Sequence, residues 1–265
     1  MARTKQIDKA IALLEDKEFC VLTGAGMSTD SGIPDYRGLG TAPRKPLDYG
    51  PFIKSEEYRK DFWIDGYRDW KEFSQAEPNA GHVIVSELQS AGFVNGVITQ
   101  NVDNLHWVGS DQVVAELHGN MYGTVCLMCN SYFATAYVVH ELELGNPSLL
   151  TGKVDRENFW VPKCEACGGI LKPNVVFFGE NLHEQAFNLA AEIAHDAQAM
   201  IIAGTSLNVG TPLTFVAMMK EAGKPIIIIN KGKTQVDKLA DVKLNMNIAE
   251  AFGVISSKLM TPVYI

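Results

Sequence analysis

The sequence has no apolar run long enough to cross a membrane, since candidates such as Ile226 to Ile229 are only the length of a strand. It also has no cluster of lysine and arginine, and its formal net charge of −8 argues against a surface that binds a nucleic-acid backbone. Internal repeats and low-complexity tracts are missing too. These absences predict no membrane and no nucleic-acid partner, and the 265 residues, 46% hydrophobic and 20% charged, are typical of a globular protein.

The first 19 residues have neither the apolar core nor the cleavage site of a signal peptide, and they are too acidic for a typical transit peptide. They are better interpreted as an amphipathic helix with Ile7, Ala10, Ile11 and Leu14 on one face. We therefore expect a cytoplasmic protein. The oligomeric state is left open by the sequence.

The five cysteines are an odd number, which argues against a set of secreted disulfides. Cys20 stands alone, within a predicted strand, and the other four form two C-x-x-C pairs: Cys126 with Cys129, and Cys164 with Cys167. Two such pairs predict one tetrahedral zinc site, which is closed by its four protein ligands and therefore structural. Four unrelated buried cysteines, or a redox role for either pair, are the less favoured alternatives.

Strand-like segments alternate with helical ones along most of the chain, which predicts an α/β fold with a mainly parallel sheet. The predicted strands are residues 19–23, 94–99, 113–117, 199–203 and 225–230, and the predicted helices are 81–89, 182–195, 214–222 and 249–259. Two segments depart from this alternation. Residues 36–80 are rich in aromatics and predict a helical insertion, whereas residues 119–178 contain both cysteine pairs.

The segment CVLTGAGMSTDSGIPDYRG, residues 20–38, begins like a strand followed by a nucleotide-binding turn. A dinucleotide fingerprint requires a third glycine three positions after Gly26, where this sequence has Thr29. Gly32, Pro34 and Gly38 also oppose a helix there. The segment therefore begins as a phosphate-type turn but does not complete a dinucleotide fingerprint.

Four further polar loops follow the other predicted strands: TQNVDNLH at 99–106, ELHGN at 116–120, GTSLNVG at 204–210 and NKG at 230–232. Because ligands bind beyond the carboxyl ends of parallel strands, all five loops should converge at one edge of the sheet. His118 is then a candidate general base, although a single histidine is more often structural. The other histidines outside these loops, at 82, 140, 183 and 195, show no such pattern and are interpreted as structural or surface residues.

Taken together, these motifs resemble the sirtuins, the NAD-dependent protein deacylases. The matching segments occur in the family's order and span nearly the whole chain: residues 24–38, 99–106, 116–120, both cysteine pairs, KPNVVFFGE at 172–180, GTSLNV at 204–209 and the NKG turn. The resemblance implies a Rossmann-like NAD-binding domain made of residues 1–38, 81–118 and 179–265. A helical insertion, 39–80, and a zinc-binding module, 119–178, would form the smaller part.

The resemblance also implies a role for each matching residue. His118 and Asn101 would be catalytic. The cofactor NAD would contact Gly24, Ala25, Gly26, Thr29, Asp35, Tyr36, Arg37, Gln100, Asn101, Asp103, Gly204, Thr205, Ser206, Asn230, Gly232 and Ile248. The substrate, an acylated lysine in a protein or peptide, would contact Val176, Phe177, Gly179, Glu180 and Asn208, in part by adding a strand to the sheet.

The implied reaction transfers the acyl group of lysine to ADP-ribose and releases nicotinamide. Two alternatives remain: mono-ADP-ribosyl transfer to protein on the same scaffold, and a binding module without catalysis. Among sirtuins the sequence resembles class II through the tyrosine of IPDYRG, the segment from PLDYG to PNAGH, and FWVPKCEACGG. The class III desuccinylases have a tyrosine three residues before an arginine in the helical insertion. In this sequence Asp65 stands three residues before Arg68, so the resemblance does not support a preference for dicarboxyl acyl groups. A long or unusual acyl group is therefore expected.

Overall fold

The computed structural model describes residues 2–35 and 46–261 of the chain. Nine strands and eight helices, numbered in chain order, lie within these residues. The larger sheet contains β1 (Phe19–Thr23), β2 (Val94–Thr99), β3 (Val114–Glu116), β7 (Ala199–Ala203), β8 (Ile226–Ile229) and β9 (Val242–Leu244). The helices are α1 (Ala2–Leu14), α2 (Tyr49–Lys54), α3 (Glu56–Phe73), α4 (Ala80–Ser90), α5 (Thr135–Gly145), α6 (Glu184–Asp196), α7 (Thr211–Glu221) and α8 (Ile248–Leu259).

The larger sheet is parallel throughout and has the strand order β3-β2-β1-β7-β8-β9. Its strands are almost completely buried because helices cover both faces, as expected for a parallel sheet. Side chains alternate between the two faces: Val21 packs in the core with α1, α4 and α8, whereas Leu22 packs with α6 and α7. The predicted α/β fold with a parallel sheet is confirmed.

The order of the strands reverses between β1 and β7, which creates a crevice at their carboxyl ends. Thr23 is in register with both Thr99 and Ala203, and Ala203 is in register with Ile229. Glu116 is in register with Thr99, so the loop after β3 and the four loops that follow these residues leave the sheet at the same level. This is the convergence that the sequence pattern predicted.

A second sheet is antiparallel and has the order β5-β4-β6, with β4 at Gly119–Cys126, β5 at Tyr132–Ala134 and β6 at Leu171–Val175. It was not predicted, and neither was β9. The aromatic segment after residue 46 forms α2 and α3, and the apolar face of α3 packs against α5 and this small sheet. The exact domain boundaries given above stay a prediction.

In the part of the chain that the structure describes, no helix is both long enough and apolar enough to cross a membrane. Three short 3-10 helices complete the secondary structure there, at Ala25–Met27, Thr29–Ser31 and Pro147–Thr151. The first two occupy the predicted nucleotide loop, which therefore continues as two tight turns and not as the long helix of a dinucleotide fingerprint.

Candidate active site

The loops after β1 and β7 pack backbone against backbone. The amide of Gly26 donates to the carbonyl of Gly204 over 2.8 Å, and a Cβ on Gly26 would lie 2.9 Å from the Cα of Gly204. Gly204 has a φ of +63°, and a Cβ there would lie 2.4 Å from the amide nitrogen of Met27. Only glycine allows this approach, so these glycines bring two loop backbones to the head of the crevice.

Backbone donors remain available in these two loops, residues 24–27 and 204–206, which we call the glycine cradle. Among the described residues, the amide groups of Ala25, Thr205 and Ser206 have no hydrogen-bond partner. Ile248, at the start of α8, lies against the same place, because a Cβ on Gly204 would be 2.9 Å from its Cδ1. Unpaired amides beside close-packed glycines suit the phosphates and hydroxyls of a dinucleotide, so the residues present fit NAD.

Three polar side chains after β2 are tied to this cradle. Gln100 Nε2 donates to Thr205 Oγ1 over 3.0 Å, and Asn101 Nδ2 donates to Ser28 Oγ over the same distance. Ser28 Oγ in turn donates to Asp103 Oδ2 over 2.6 Å. Burial raises the pKa of Asp103, and the hydrogen bond from Ser28 opposes that rise. The network fixes the side chains of this loop at the floor of the crevice.

Two buried histidines support this network, and one of them was missed. His82 and His106 lie with their ring centroids 4.8 Å apart; His106 Nε2 is 2.9 Å from Thr23 Oγ1, and His82 Nε2 is 3.5 Å from Ser28 Oγ. Burial lowers the pKa of both rings, to about 4 for His82 and well below 6.5 for His106. Both rings are therefore neutral at pH 7. The sequence feature that could have identified His82 is its position three residues after Asn79, the N-cap of α4. There its Nδ1 accepts from the amide of Asn79 and completes a capping box.

His118 stands at the boundary between the cofactor loops and the small sheet. Its Nδ1 lies 3.0 Å from the carbonyl oxygen of Gln100, and its own carbonyl accepts from the amide of Val176 over 2.9 Å. Burial lowers the pKa of the ring below 6.5, and the bond to Gln100 partly opposes that effect. A partly buried, neutral imidazole with one nitrogen engaged can accept a proton on the other.

The predicted substrate segment lies directly beside His118. Residues 176–180 follow β6, and their backbone bonds reach His118 on one side and Leu47 on the other. The ring of Phe177 is buried among Phe52 and Phe62, at centroid distances of 5.3 and 5.4 Å. Asn208 is not brought to this segment by any described hydrogen bond; it bonds to Ser206 and Gln235.

The remaining predicted cofactor residues are more peripheral. Thr29 Oγ1 donates to the carbonyl of Gly26, and Asn230 Nδ2 donates to the carbonyl of Gly232, so each stabilises its own loop. Asp35 lies half-buried at the end of the described part of the first loop. Tyr36 and Arg37 lie outside the described residues.

The four cysteine sulfurs lie within 4.8 Å of one another. Cys126 Sγ is 3.5 Å from Cys167 Sγ, and Cys129 Sγ is 3.7 Å from Cys164 Sγ. Zinc with bonds of about 2.3 Å would place tetrahedral sulfurs about 3.8 Å apart, so this cluster fits one zinc ion. Gly169 makes the approach possible, because a Cβ there would lie 2.9 Å from Cys126 Sγ.

Comparison with known proteins agrees with this geometry. The model of the Sir2 family matches residues 24–211. The chain is 37% identical over 254 residues to NAD-dependent protein deacetylase 1 of Streptomyces coelicolor, covering 90% of this chain and 85% of the relative. It is 32% identical over 274 residues to the mitochondrial NAD-dependent protein lipoamidase sirtuin-4 of Bos taurus, covering 97% and 86%. A solved structure of Sir2 with a p53 peptide and NAD+ superposes with a TM-score of 0.78 at 32% identity, covering 96% of this chain and 99% of that one.

Proposed function

The chain belongs to the Sir2 family, and on that premise we propose that it is an NAD-dependent protein-lysine deacylase. The observation that carries the proposal is the position of His118, whose ring is oriented by Gln100 of the cofactor loops and whose backbone carbonyl holds Val176 of the substrate segment. A candidate base is thus held between the two candidate binding sites. When bound, NAD supplies the ADP-ribose that accepts the acyl group, and nicotinamide leaves.

His118 acts as the general base in this proposal. A carbonyl oxygen only accepts hydrogen bonds, so Nδ1 carries the proton in the bond to Gln100 and Nε2 keeps its lone pair. Since burial lowers the pKa of the ring, Nε2 is unprotonated at pH 7 and can take a proton from a ribose hydroxyl. Asn101 and Asp103, both buried, would provide fixed dipoles and a carboxylate near the nicotinamide end.

The cofactor residues divide by chemistry. We assign the phosphates to the amides of the glycine cradle, namely those of Ala25, Thr205 and Ser206, and the adenosine half to Asn230, Gly232 and Ile248. Asp35, with Tyr36 and Arg37, is assigned to the nicotinamide end by its place in the loop. One zinc ion held by the four cysteines would stabilise the small sheet and take no part in the reaction.

The substrate segment can bind an extended peptide through its backbone. Within the described residues, the carbonyl of Val176 and the amide of Gly179 have no hydrogen-bond partner. These groups suit a peptide that adds a strand, which gives affinity without demanding one sequence. The ring of Phe177 packs against Phe52 and Phe62 in the apolar interior and so anchors this segment beneath the acyl-lysine peptide.

We further propose a class II sirtuin with a preference for long or unusual acyl groups, supported by the similarity to sirtuin-4 of Bos taurus and by the sequence features given above. A cytoplasmic location stays a prediction from the N-terminal sequence, and cell fractionation would test it.

The test is a nicotinamide-release assay with purified protein, NAD and a panel of acetyl, succinyl, lipoyl and myristoyl lysine peptides. We expect nicotinamide release only when an acyl-lysine peptide is present, with one nicotinamide formed for each lysine side chain that is deacylated. Nicotinamide release without acyl-lysine, with ADP-ribose retained on protein, would instead identify an ADP-ribosyltransferase. No release with any peptide would reject the deacylase.

A further inference from the structure

Lys172 is the first residue of the KPNVVFFGE motif, and it places a charged group inside the protein for which the sequence assigned no role. Its side chain is only 4% exposed, and it lies in β6, just before the substrate segment. The ammonium group has three acceptors: the carbonyl of Pro173 at 3.2 Å, the carbonyl of Val175 at 2.6 Å and Glu180 Oε2 at 3.1 Å. Since an ammonium group has three protons, its hydrogen-bonding capacity is fully used.

The partner, Glu180, stands at the other end of the segment. Its Oε2 accepts from Lys172 and also from the backbone amide of Phe177 over 2.7 Å. The amide of Glu180 donates back to the carbonyl of Phe177, which closes a turn over Gly179 with its φ of +89°. Lys172 Nζ also lies 4.5 Å from the centroid of the Phe177 ring. One ion pair thus fixes both the backbone and the ring of this segment.

The ion pair decides which backbone groups remain available. Lys172 occupies the carbonyl of Val175, and Glu180 occupies the amide of Phe177. The Val176 carbonyl and the Gly179 amide are among the groups of this segment that remain without a partner in the described structure. A segment without the pair would have the occupied groups available as well, and an incoming strand could then pair in more than one register.

We propose that Lys172 and Glu180 are a positioning pair, which presents the Val176 carbonyl and the Gly179 amide to an extended acyl-lysine peptide in a single register. This inference rests on the proposed deacylase function and adds to it a reason for how the substrate is aligned. The competing explanation is an ion pair that serves the core alone. That explanation is weaker because buried ion pairs contribute little net stability compared with apolar residues of similar size.

The test compares steady-state kinetics of Glu180→Gln, Lys172→Met and the double variant with the unmodified protein. Gln keeps an oxygen that can accept from the amide of Phe177, and Met keeps most of the volume of Lys. We expect the KM for the acyl-lysine peptide to rise about tenfold or more in each of the three variants, which is the loss of affinity expected when a hydrogen bond is misplaced. The KM for NAD should stay within about twofold of that of the unmodified protein. The matched control is Lys71→Met, which breaks the ion pair with Glu143 between α3 and α5 and should leave both KM values unchanged.

The double variant keeps the test decisive if the single variants fail to fold, because it buries no unpaired charge. A raised peptide KM in a double variant that melts close to the unmodified protein supports positioning. An unchanged peptide KM in that variant, whatever its melting temperature, overturns the proposal. Failure of the deacylase function itself is recognised separately, since the unmodified protein would then release no nicotinamide with any acyl-lysine peptide.

Discussion

The Nδ1 atom of His118 lies 3.0 Å from the carbonyl oxygen of Gln100. This contact selects the tautomer of the ring and aims the free Nε2 away from the cofactor-loop backbone. It also connects two loops that follow different strands, β2 and β3, at the edge where the sheet ends. The tautomer of His118 is therefore set by the backbone of the loop after β2, which also carries Asn101 and Asp103.

The pH dependence of turnover should follow the pKa of His118. Because burial lowers that pKa below 6.5, the ring is unprotonated above pH 6.5, and kcat/KM should be constant there and fall as the pH drops. His118→Ala should lower turnover by about 100-fold or more, the usual contribution of a positioned base. Steady-state assays from pH 5 to 8 check both. Loss of zinc in the same variant would contradict the assignment, because it would show general misfolding.

Substitution of Asn79 should separate helix capping from anchoring of the cofactor loop. Its Oδ1 accepts from the amides of Gly81 and His82 at the start of α4, and its Nδ2 donates to the carbonyl of Met27 and to Ser31 Oγ. Asn79→Asp keeps the acceptor and loses the donors. We expect the KM for NAD to rise severalfold with little change in melting temperature.

Asn79→Ala is the matched control, since it removes the cap as well and should destabilise the protein by about 1 kcal/mol more than the aspartate does. Thermal unfolding and NAD titrations of both variants check the prediction. An aspartate variant with the NAD affinity of the unmodified protein would contradict the role of the donors.

Acid should destabilise the protein in part through His82. Its pKa is about 4 when folded and about 6.5 when unfolded, so between these values the unfolded chain binds a proton that the folded chain does not. Stability is therefore fully present above pH 6.5 and falls by about 1.4 kcal/mol per pH unit, for this histidine, as the pH drops toward 4. Urea unfolding at pH 7 and pH 5 measures this slope.

His82→Gln isolates this contribution from that of other groups. Glutamine is common at the same position of a capping box and does not titrate. The variant should fold and show a smaller loss of stability between pH 7 and pH 5 than the unmodified protein. Equal losses in the two proteins would mean that His82 is not buried as a neutral ring.

The sequence predicted the parallel sheet and the meeting of its loops because both follow from short-range patterns: strand-sized apolar runs, and polar residues at strand ends. It did not predict β9, which has only three residues, or the antiparallel sheet, whose strand β5 is separated from β6 by a long intervening segment. Lys172 was missed for a different reason. A lysine is normally solvated, and only the fold shows that three acceptors surround its ammonium group.

Removal of zinc should unfold the small sheet before the large one. The two cysteine pairs join β4 to the turn before β6, and Cys126 and Cys164 are buried in the same core as α3 and α5. Without the metal, four thiols remain where the chain has little else to hold the turns. Chelation at pH 7 should release one zinc per chain and abolish turnover. Hydrogen exchange should then increase in residues 119–175 and much less in β1 and β7; equal increases would contradict a local role.

Gly66→Ala should stabilise the protein. Gly66 lies in the interior of α3, where glycine costs about 1 kcal/mol relative to alanine, and a Cβ there would meet only Phe62, at 3.8 Å. The added methyl group therefore enters ordinary van der Waals contact. The matched control is Gly96→Ala in β2, where a Cβ would lie 2.8 Å from two atoms of Ile193 and should destabilise the protein by about 1–3 kcal/mol. Urea unfolding measures whether each variant has a higher or a lower free energy of unfolding than the unmodified protein. A destabilised Gly66→Ala would show that α3 packs more tightly there than the structure indicates.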